Sequence, residues 1–198
     1  SIGGSTNAGL TDFVIQRYDS TKTLVWTAMF GGAADDILYD MAIDLNDNIY
    51  VVGTCSGSVD GHTSTSGSVD ICTVKYNSAG VKLWSTVSGG TGTDTPKAVC
   101  VDSTGTYLYI VGDTTSSNFF GLTKIASTTL SSVWTKFKAF DGSFQAATFI
   151  CNYGRSTADS CIIDSSGAMV VGGTTNATGY CGTSIGGVDA HFTKYQAS

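Results

Sequence analysis

The sequence predicts an all-β protein built from repeated four-stranded antiparallel sheets. Three observations support this prediction: a phrase that repeats along the chain, the regular spacing of its copies, and the scarcity of helix signals. Apolar residues alternate or form short β-branched runs bounded by Gly, Ser, Asn and Asp, which is the pattern of strands. Proline occurs once in 198 residues, whereas glycine occurs 25 times. The chain is therefore expected to consist of short strands joined by turns.

One half of the repeated phrase is an apolar doublet closed by glycine and hydroxyl residues. Its copies recur at intervals of roughly 50 to 60 residues, the length of one four-stranded propeller blade. The copies begin at Ile2, Tyr50, Tyr109 and Val170. The other half is a strand that ends in Lys/Arg-Tyr. It is found at 12–18, 70–76 and 189–195, with a decayed copy at 119–125.

Alignment of the copies predicts four strands per repeat, named here a to d. Strand a precedes a recurring aspartate, strand b holds the doublet, and strand c is the Lys/Arg-Tyr segment. Strand d carries a tryptophan, which is Trp26, Trp84 or Trp134. Strands joined in this order form a meander, and meanders arranged around one axis form a β-propeller. Strand a is expected nearest the axis, because its runs are apolar on both faces.

The predicted fold is therefore a β-propeller of about four four-stranded antiparallel blades, of which the first and last are incomplete. The chain is interpreted as one propeller over residues 1–198, either partial or completed by oligomerisation. Its approximate repeats are 1–30, 38–88, 96–139 and 158–195. A longer chain, a second copy that completes a ring, and an open array of copies all fit this pattern.

The repeat also resembles a known family. The residues that carry the resemblance run from Asp12 through Arg17-Tyr18, Trp26 and Gly31-Gly32 to the segment 36–54, and the second copy repeats them almost completely. This pattern resembles the secreted β-propeller repeat family often abbreviated SBBP. The resemblance implies a β-propeller in a surface or secreted protein, and it implies no particular activity. In the third copy Phe119 and Ile125 replace the Asp and the Tyr.

Composition excludes some partners and favours one location. The formal net charge is −6 and only 13% of residues are charged, with no Lys/Arg cluster, so nucleic acid and anionic membrane surfaces are not expected partners. No apolar run is long enough for membrane insertion. Six cysteines, abundant Ser and Thr, and the sequon at Asn176 favour a secreted glycoprotein. The Ser/Thr/Gly segment 56–68 is a candidate for O-glycans or a flexible loop.

The cysteines divide by their predicted positions. Cys55 closes strand b and Cys72 opens strand c, so a hairpin can bring them together. Cys151 and Cys181 fall in two predicted loops on one side and are the second candidate pair. Cys100 and Cys161 lie in strands a at positions one residue out of phase, so they are expected to be buried thiols. Six cysteines allow fifteen pairings, and the sequence does not decide among them.

The predicted ligand surface is the side of the propeller that carries the long connections. These are residues 55–69, 88–96, 140–157 and 175–188. Long loops on a rigid scaffold commonly bind ligands. The candidate side chains there are His62, Phe140, Asp141, Phe144, Tyr153, Arg155 and Tyr180. The alternative is a set of solvated loops without a ligand.

No cofactor and no catalytic residue are expected. The chain has two histidines without convergent partners, too few for a zinc site or a Ser-His-Asp triad. Asp44, Asn46 and Asn48 resemble the start of a calcium loop, but Ile49 stands where such a loop needs glycine. A turn closed by Asp and Asn side chains explains these residues more simply. Calcium is therefore the single weak metal candidate.

The expected function is an extracellular structural or recognition module without catalysis, in contact with protein chains or glycans and able to self-associate into a ring or filament. A lectin-like propeller is one alternative. A glycosidase-like or quinone-dependent enzyme is another, because Gly80 followed by Trp84 resembles the tryptophan-docking motif of quinone-dependent propellers and part of the sialidase Asp-box. Neither match is complete, and tryptophans that pack as core residues explain the pattern more simply.

Overall fold

A computed structural model describes residues 7–63, 69–124, 130–150, 155–176, 178–179, 182–183 and 189–195. These residues form antiparallel sheets and tight turns. The described part of the chain contains no helix that could cross a membrane. The all-β class predicted from the strand pattern is therefore correct.

Four sheets follow one another along the chain. Sheet 1 pairs β1 (Phe13–Tyr18) with β2 (Leu24–Phe30). Sheet 2 has the order β3-β4-β7-β8. Its strands are β3 (Asp36–Ile43), β4 (Ile49–Ser56), β7 (Val69–Tyr76) and β8 (Lys82–Ser88). Between β4 and β7 lies a small hairpin of β5 (Ser58–Val59) and β6 (His62–Thr63). Sheet 2 thus shows the predicted order a to d.

Sheets 3 and 4 repeat this plan. Sheet 3 comprises β9 (Asp94–Val101), β10 (Tyr107–Thr114), β13 (Ser131–Lys138) and β14 (Phe144–Phe149), with the hairpin β11 (Asn118–Phe119) and β12 (Leu122–Thr123). Sheet 4 comprises β15 (Ser160–Ile163), β16 (Met169–Thr175) and β19 (Asp189–Tyr195), with the hairpin β17 (Thr178–Gly179) and β18 (Gly182–Thr183). All pairings within these sheets are antiparallel.

The prediction for the third repeat was wrong by one strand. The segment 119–125 was expected to be strand c, but Phe119 belongs to the hairpin β11–β12. The third strand is β13, which carries Trp134, and β14 is the fourth strand. The apolar hairpin resembles a decayed strand in sequence, and this shifted the alignment. The repeat 96–139 therefore ends too early, because sheet 3 continues to Phe149.

Neighbouring sheets pack face to face and bury three apolar cores. The core between sheets 1 and 2 contains Phe13, Ile15, Val51 and Val74. The core between sheets 2 and 3 contains Tyr50, Val52, Leu108 and Ile110. The core between sheets 3 and 4 contains Tyr109, Val111, Met169 and Val171. Each complete sheet is thus buried on both faces, which explains why β4 and β10 are buried along almost their whole length.

The first strands of successive sheets lie against each other, β3 beside β9 and β9 beside β15. This is the placement expected for strand a. At Gly53 in β4 a Cβ atom would lie 2.2 Å from the Ile37 carbonyl oxygen and 2.3 Å from the Phe13 ring, so glycine permits the close approach of sheets 1 and 2. However, Met41 in β3 is 51% exposed, so the expectation that both faces of this strand are covered is wrong for β3.

Two disulfides connect four of the cysteines. Cys55 and Cys72 are joined between β4 and β7, with their Cα atoms 5.6 Å apart. Cys100 and Cys161 are also joined, so the expectation of free thiols there was wrong. Cys100 and Cys161 lie one residue out of phase in their strands, and this offset brings their side chains together instead of keeping them apart. It places Cys100 on the face of β9 that meets β15, and Cys161 on the face of β15 that meets β9. Cys151 and Cys181 lie outside the described residues.

Candidate functional site

The connections between second and third strands contain two-stranded hairpins. In two of them the central residues are Asp60-Gly61 and Phe120-Gly121, and all four have φ between 51° and 79°. Two consecutive positive φ angles define the type I′ turn, which suits the twist of a tight hairpin. The long-loop side predicted from the sequence is therefore partly ordered by local pairing within residues 55–69.

Each hairpin tip is attached to the fourth strand of its own sheet. The Asp60 carboxylate lies 2.5 Å from Lys82 Nζ and accepts a hydrogen bond from the Ser85 hydroxyl at 2.5 Å. Lys82 and Ser85 lower the pKa of Asp60. In sheet 3 the Phe120 ring stacks on Phe144, with centroids 4.3 Å apart. An ion pair in one repeat and a ring stack in the next thus fix the same kind of tip.

Pairs of aspartates converge where a first strand begins. The buried carboxylates of Asp36 and Asp94 accept hydrogen bonds at 2.6 Å from the N–H groups of Gly32 and Gly90. Burial raises the pKa of both aspartates. These residues belong to the recurring Gly-Gly and Asp of the sequence, and the hydrogen bonds between them were not predicted.

A second carboxylate accompanies each of these aspartates. A Cβ atom on Gly31 would lie 2.2 Å from Asp12 Oδ1 and 2.7 Å from Asp36 Oδ2. A Cβ atom on Gly89 would likewise lie within 3 Å of carboxylate oxygens of both Asp70 and Asp94. At the start of sheet 4 hydroxyls replace the carboxylates, and Ser132 Oγ lies 2.8 Å from Ser156 Oγ. The spacing of Asp, Gly-Gly and Asp was the signal that could have identified these pairs.

A polar cleft of about 240 Å³ lies at the start of sheet 4. Its walls are Arg155, Ser156, Thr157, Thr174, Thr175 and Asn176. Asn176 Oδ1 accepts a hydrogen bond from the Arg155 N–H at 2.7 Å, and the Asn176 N–H donates to the Arg155 carbonyl at 3.0 Å. The hydroxyls of Thr157 and Thr174 are 2.8 Å apart. The cleft thus combines an exposed arginine with several hydroxyl groups.

The opposite ends of the sheets carry tight turns closed by aspartate. Asp44 Oδ1 accepts from the N–H groups of Asn46 at 2.8 Å and Asn48 at 3.0 Å, and Oδ2 accepts from Tyr50 Oη at 2.9 Å. Burial raises the pKa of Asp44, but the hydrogen bonds from Asn48 and Asn46 outweigh burial and leave this pKa below its ordinary value. Asp102 and Asp164 close equivalent turns.

These contacts explain the Asp44-Asn46-Asn48 segment as a turn closed by side chains, which was the predicted alternative to a calcium loop. Hydrogen-bond donors face both carboxylate oxygens of Asp44. In the part of the chain that the structure describes, no three His, Cys, Asp or Glu side chains cluster as metal ligands. Calcium at this turn stays a prediction.

Side chains of one sheet also bind the turn between the third and fourth strands of the next sheet. The Ser78 carbonyl accepts a hydrogen bond from Trp26 Nε1 at 3.1 Å and another from the Arg17 guanidinium. Gly80, in the same turn, lies directly beneath the Trp26 ring. This arrangement connects sheet 1 to sheet 2.

The same contacts connect sheet 2 to sheet 3. The Ala139 carbonyl accepts hydrogen bonds from Lys75 Nζ at 2.7 Å and from Trp84 Nε1 at 3.3 Å. Gly142 lies beneath the Trp84 ring, as Gly80 lies beneath Trp26. A basic residue, a tryptophan and a glycine thus form a repeated lock between sheets, which we call the tryptophan lock.

These recurring contacts agree with the comparison of the sequence with protein families. Residues 25–58 match the family model described as the β-propeller repeat. This segment is similar to a β-propeller repeat. It covers β2, β3 and β4, and its match agrees with the resemblance seen in the sequence. No curated protein matches the chain significantly. From here each of sheets 1 to 4, complete or not, is called a blade.

The blades place the predicted ligand residues at different sites. His62 is exposed on strand β6 of a hairpin, and Arg155 lines the polar cleft together with Asn176. Phe144 was predicted in a loop, but it is the first residue of β14, next to a tight turn on the other side of the blade. Phe140 and Asp141 lie in that turn. Tyr153 and Tyr180 fall outside the described residues.

Proposed function

We propose that the chain is an extracellular structural or recognition module that holds a ligand surface on rigid blades and does not catalyse a reaction. The observation that carries this proposal is the tryptophan lock, because it fixes sheet 1 to sheet 2 and sheet 2 to sheet 3 through polar contacts with a backbone carbonyl. The match to a β-propeller repeat supports an interaction or structural role. Rigid blades present loops at fixed positions, as a recognition module requires.

The extracellular location is supported by the disulfides. One disulfide closes a hairpin within a blade and the other joins two blades. Structural disulfides persist mainly in oxidising compartments. The sequon residue Asn176 is exposed, which supports its use as a glycan acceptor, although its side-chain oxygen also accepts the Arg155 N–H.

A non-catalytic role is supported by the use of the aspartates. Asp44, Asp102 and Asp164 each accept backbone N–H groups within turns. Asp36 and Asp94 accept backbone N–H groups at the start of first strands. Carboxylates that hold the backbone in this way stabilise the blades.

The polar cleft favours glycans as one ligand class. Sugars are bound by groups that donate and accept hydrogen bonds, and Arg155, Thr157 and Asn176 supply such groups on one surface. A lectin-like role of the cleft is therefore the second candidate function. It adds a ligand class to the recognition module and does not replace it.

A glycan array and an array of extracellular matrix proteins, probed with the labelled chain, test this proposal. We expect binding to at least one class, and Arg155→Thr should weaken it at least tenfold if the cleft is used. Threonine is a suitable replacement because Thr93 occupies the equivalent position in the preceding blade, where its carbonyl also accepts an N–H from the following strand. Lys138→Met, at an exposed site elsewhere, is the control. Failure to bind either array, or hydrolysis of an arrayed glycan, would contradict the proposal.

A further inference from the structure

Two further pockets lie on the same side of the blades as the polar cleft. Gly31, Asp60 and Lys82 are among the walls of a pocket of about 150 Å³, where the segment that enters sheet 2 meets the hairpin β5–β6. Thr91 and Asn118 are among the walls of a pocket of about 230 Å³, where the segment that enters sheet 3 meets the hairpin β11–β12. We call these the first and second entry pockets.

The two entry pockets occupy equivalent positions in successive blades. Gly31 lies five residues before the buried Asp36, and Gly89, in the wall of the second entry pocket, lies five residues before the buried Asp94. Each pocket also contains the first central residue of a type I′ hairpin turn, Asp60 or Phe120. The pockets therefore repeat with the blades.

The polar cleft lies at the corresponding junction of sheet 4. Gly90 forms an antiparallel bridge with Phe119 at the second entry pocket, and Ser156 forms an antiparallel bridge with Thr175 at the polar cleft. In both places the segment that enters a blade is thus bonded to the connection between the second and third strands. A pocket with a fixed backbone wall therefore recurs from one blade junction to the next.

The size and spacing of these pockets favour an extended ligand. Pockets that enclose a whole small-molecule ligand usually exceed about 300 Å³. The first entry pocket, the second entry pocket and the polar cleft measure about 150, 230 and 240 Å³. Stacked sheets lie about 10 Å apart, so successive junctions are separated by at least about that distance. A ligand that fills more than one pocket must therefore be a chain of small repeated units.

The walls of the pockets match a chain of sugars better than a peptide. In the first entry pocket Lys82 is paired with Asp60 at 2.5 Å, so a carboxylate and an ammonium group stand side by side. In the second, Asn118 Oδ1 accepts the Gly121 N–H at 3.1 Å, so the side-chain amide N–H groups are the donors that Asn118 offers to a ligand. Arg155 and hydroxyl groups line the polar cleft. Peptide-binding sites depend more on apolar and aromatic anchors.

We propose that the two entry pockets and the polar cleft together bind one linear neutral glycan, whose sugar units lie at successive blade junctions. This inference rests on the proposed glycan-binding role of the polar cleft, and it specifies the ligand as a polysaccharide chain. Binding at each small pocket is weak. The second and third contacts become intramolecular once the first has formed, and this raises the overall affinity.

A glycan array sorted by chain length tests this inference. The probes are linear β-1,4-glucans, β-1,3-glucans and chitin oligomers, each presented as single sugars, short oligomers and long oligomers. We expect the affinity for at least one series to rise about a hundredfold from the single sugar to the long oligomers. Equal affinity at all lengths would overturn this inference and leave the lectin-like role of the cleft intact. Binding to matrix proteins but to no glycan would overturn both and leave the recognition module intact.

Variants that fill one entry pocket separate the chain ligand from a ligand of the cleft alone. Thr91→Trp in the second entry pocket and Ala8→Trp in the first, both at exposed residues, should each weaken binding of long oligomers about tenfold. Neither should change the binding of short oligomers in the polar cleft, whereas Arg155→Thr should weaken short and long oligomers alike.

Ser103→Trp is the matched control, because Ser103 is exposed in a tight turn on the opposite side of the blade. It should leave the binding of all oligomers unchanged. Circular dichroism and the melting temperature of each variant report whether the fold is kept. If both Thr91→Trp and Ala8→Trp are folded and bind long oligomers as tightly as the parent, the entry pockets take no part and the inference is wrong.

Discussion

Gly80 combines a backbone constraint with a packing constraint. Its φ is +79°, and a Cβ atom would lie 2.7 Å from the Trp26 ring. Gly61 has the same φ of +79° but has no atom within 4 Å of that position. The two glycines therefore separate the effect of the backbone from that of the tryptophan lock.

We expect Gly80→Ala to destabilise the protein more than Gly61→Ala. The backbone cost in each variant is about 1–3 kcal/mol, and the contact with the indole adds to it only at Gly80. Chemical denaturation of both variants measures the difference in the free energy of unfolding. Equal losses in the two variants would contradict the contact between Gly80 and Trp26.

Asp113 gives a prediction about pH. Its burial raises its pKa to about 6, although the Ala158 N–H donates to its carboxylate at 3.1 Å. A carboxyl whose pKa is raised on folding stabilises the protein at low pH, and this contribution is lost as pH rises from about 4 to about 6. We expect Asp113→Asn, which keeps an acceptor for Ala158, to be more stable than the parent at pH 7 by up to about 3 kcal/mol.

The pH dependence of unfolding tests this assignment. The difference between Asp113→Asn and the parent should grow between pH 4 and pH 6 and stay constant above. The exposed Asp47→Asn, far from Asp113 in the sequence and not among the charges that shift its pKa, is the control. A difference that does not change over this range would show that Asp113 titrates normally.

The tryptophan lock gives a prediction for the strands that carry it. Trp84 Nε1 donates to the Ala139 carbonyl, whereas the buried Trp134 Nε1 has no hydrogen-bond partner among the described residues. We expect Trp84→Phe to lower the free energy of unfolding by about 1–2 kcal/mol beyond the effect of Trp134→Phe. Thermal unfolding of the two variants measures this, and a greater loss in Trp134→Phe would contradict the lock.

The elements also show what could be predicted from the sequence. The order of strands in sheets 2 and 4 followed from the repeated Asp and the Lys/Arg-Tyr segment, because Asp44 and Asp164 close turns and Lys75 forms a lock. Sheet 3 was misread because the hairpin around Phe119 is as apolar as a strand, and its buried side chain belongs to the core. Packing contacts such as that of Phe119 join residues that are far apart in the sequence, so no local sequence pattern reveals them.

The candidate site was less predictable than the strands. Arg155 and Asn176 were both singled out in the sequence, but their pairing depends on the register between the start of sheet 4 and the end of β16. The aspartate pairs at Gly31 and Gly89 likewise bring together residues from different strands.

The disulfides should contribute unequally to the stability of the molecule. The bond between Cys100 and Cys161 closes a segment of 61 residues and joins two blades, whereas Cys55 and Cys72 are separated by 17 residues. A longer closed segment restricts the unfolded chain more, by about 1 kcal/mol here. We expect Cys100→Ser with Cys161→Ser to lower the melting temperature more than Cys55→Ser with Cys72→Ser. The reverse order would argue against a covalent link between blades.

The blades stack face to face, and their first strands lie next to one another. Digestion without reductant followed by mass spectrometry of the linked peptides reports that arrangement. We expect one peptide pair that contains Cys55 and Cys72 and another that contains Cys100 and Cys161. A link between Cys55 and Cys161, or an unlinked Cys100, would contradict it.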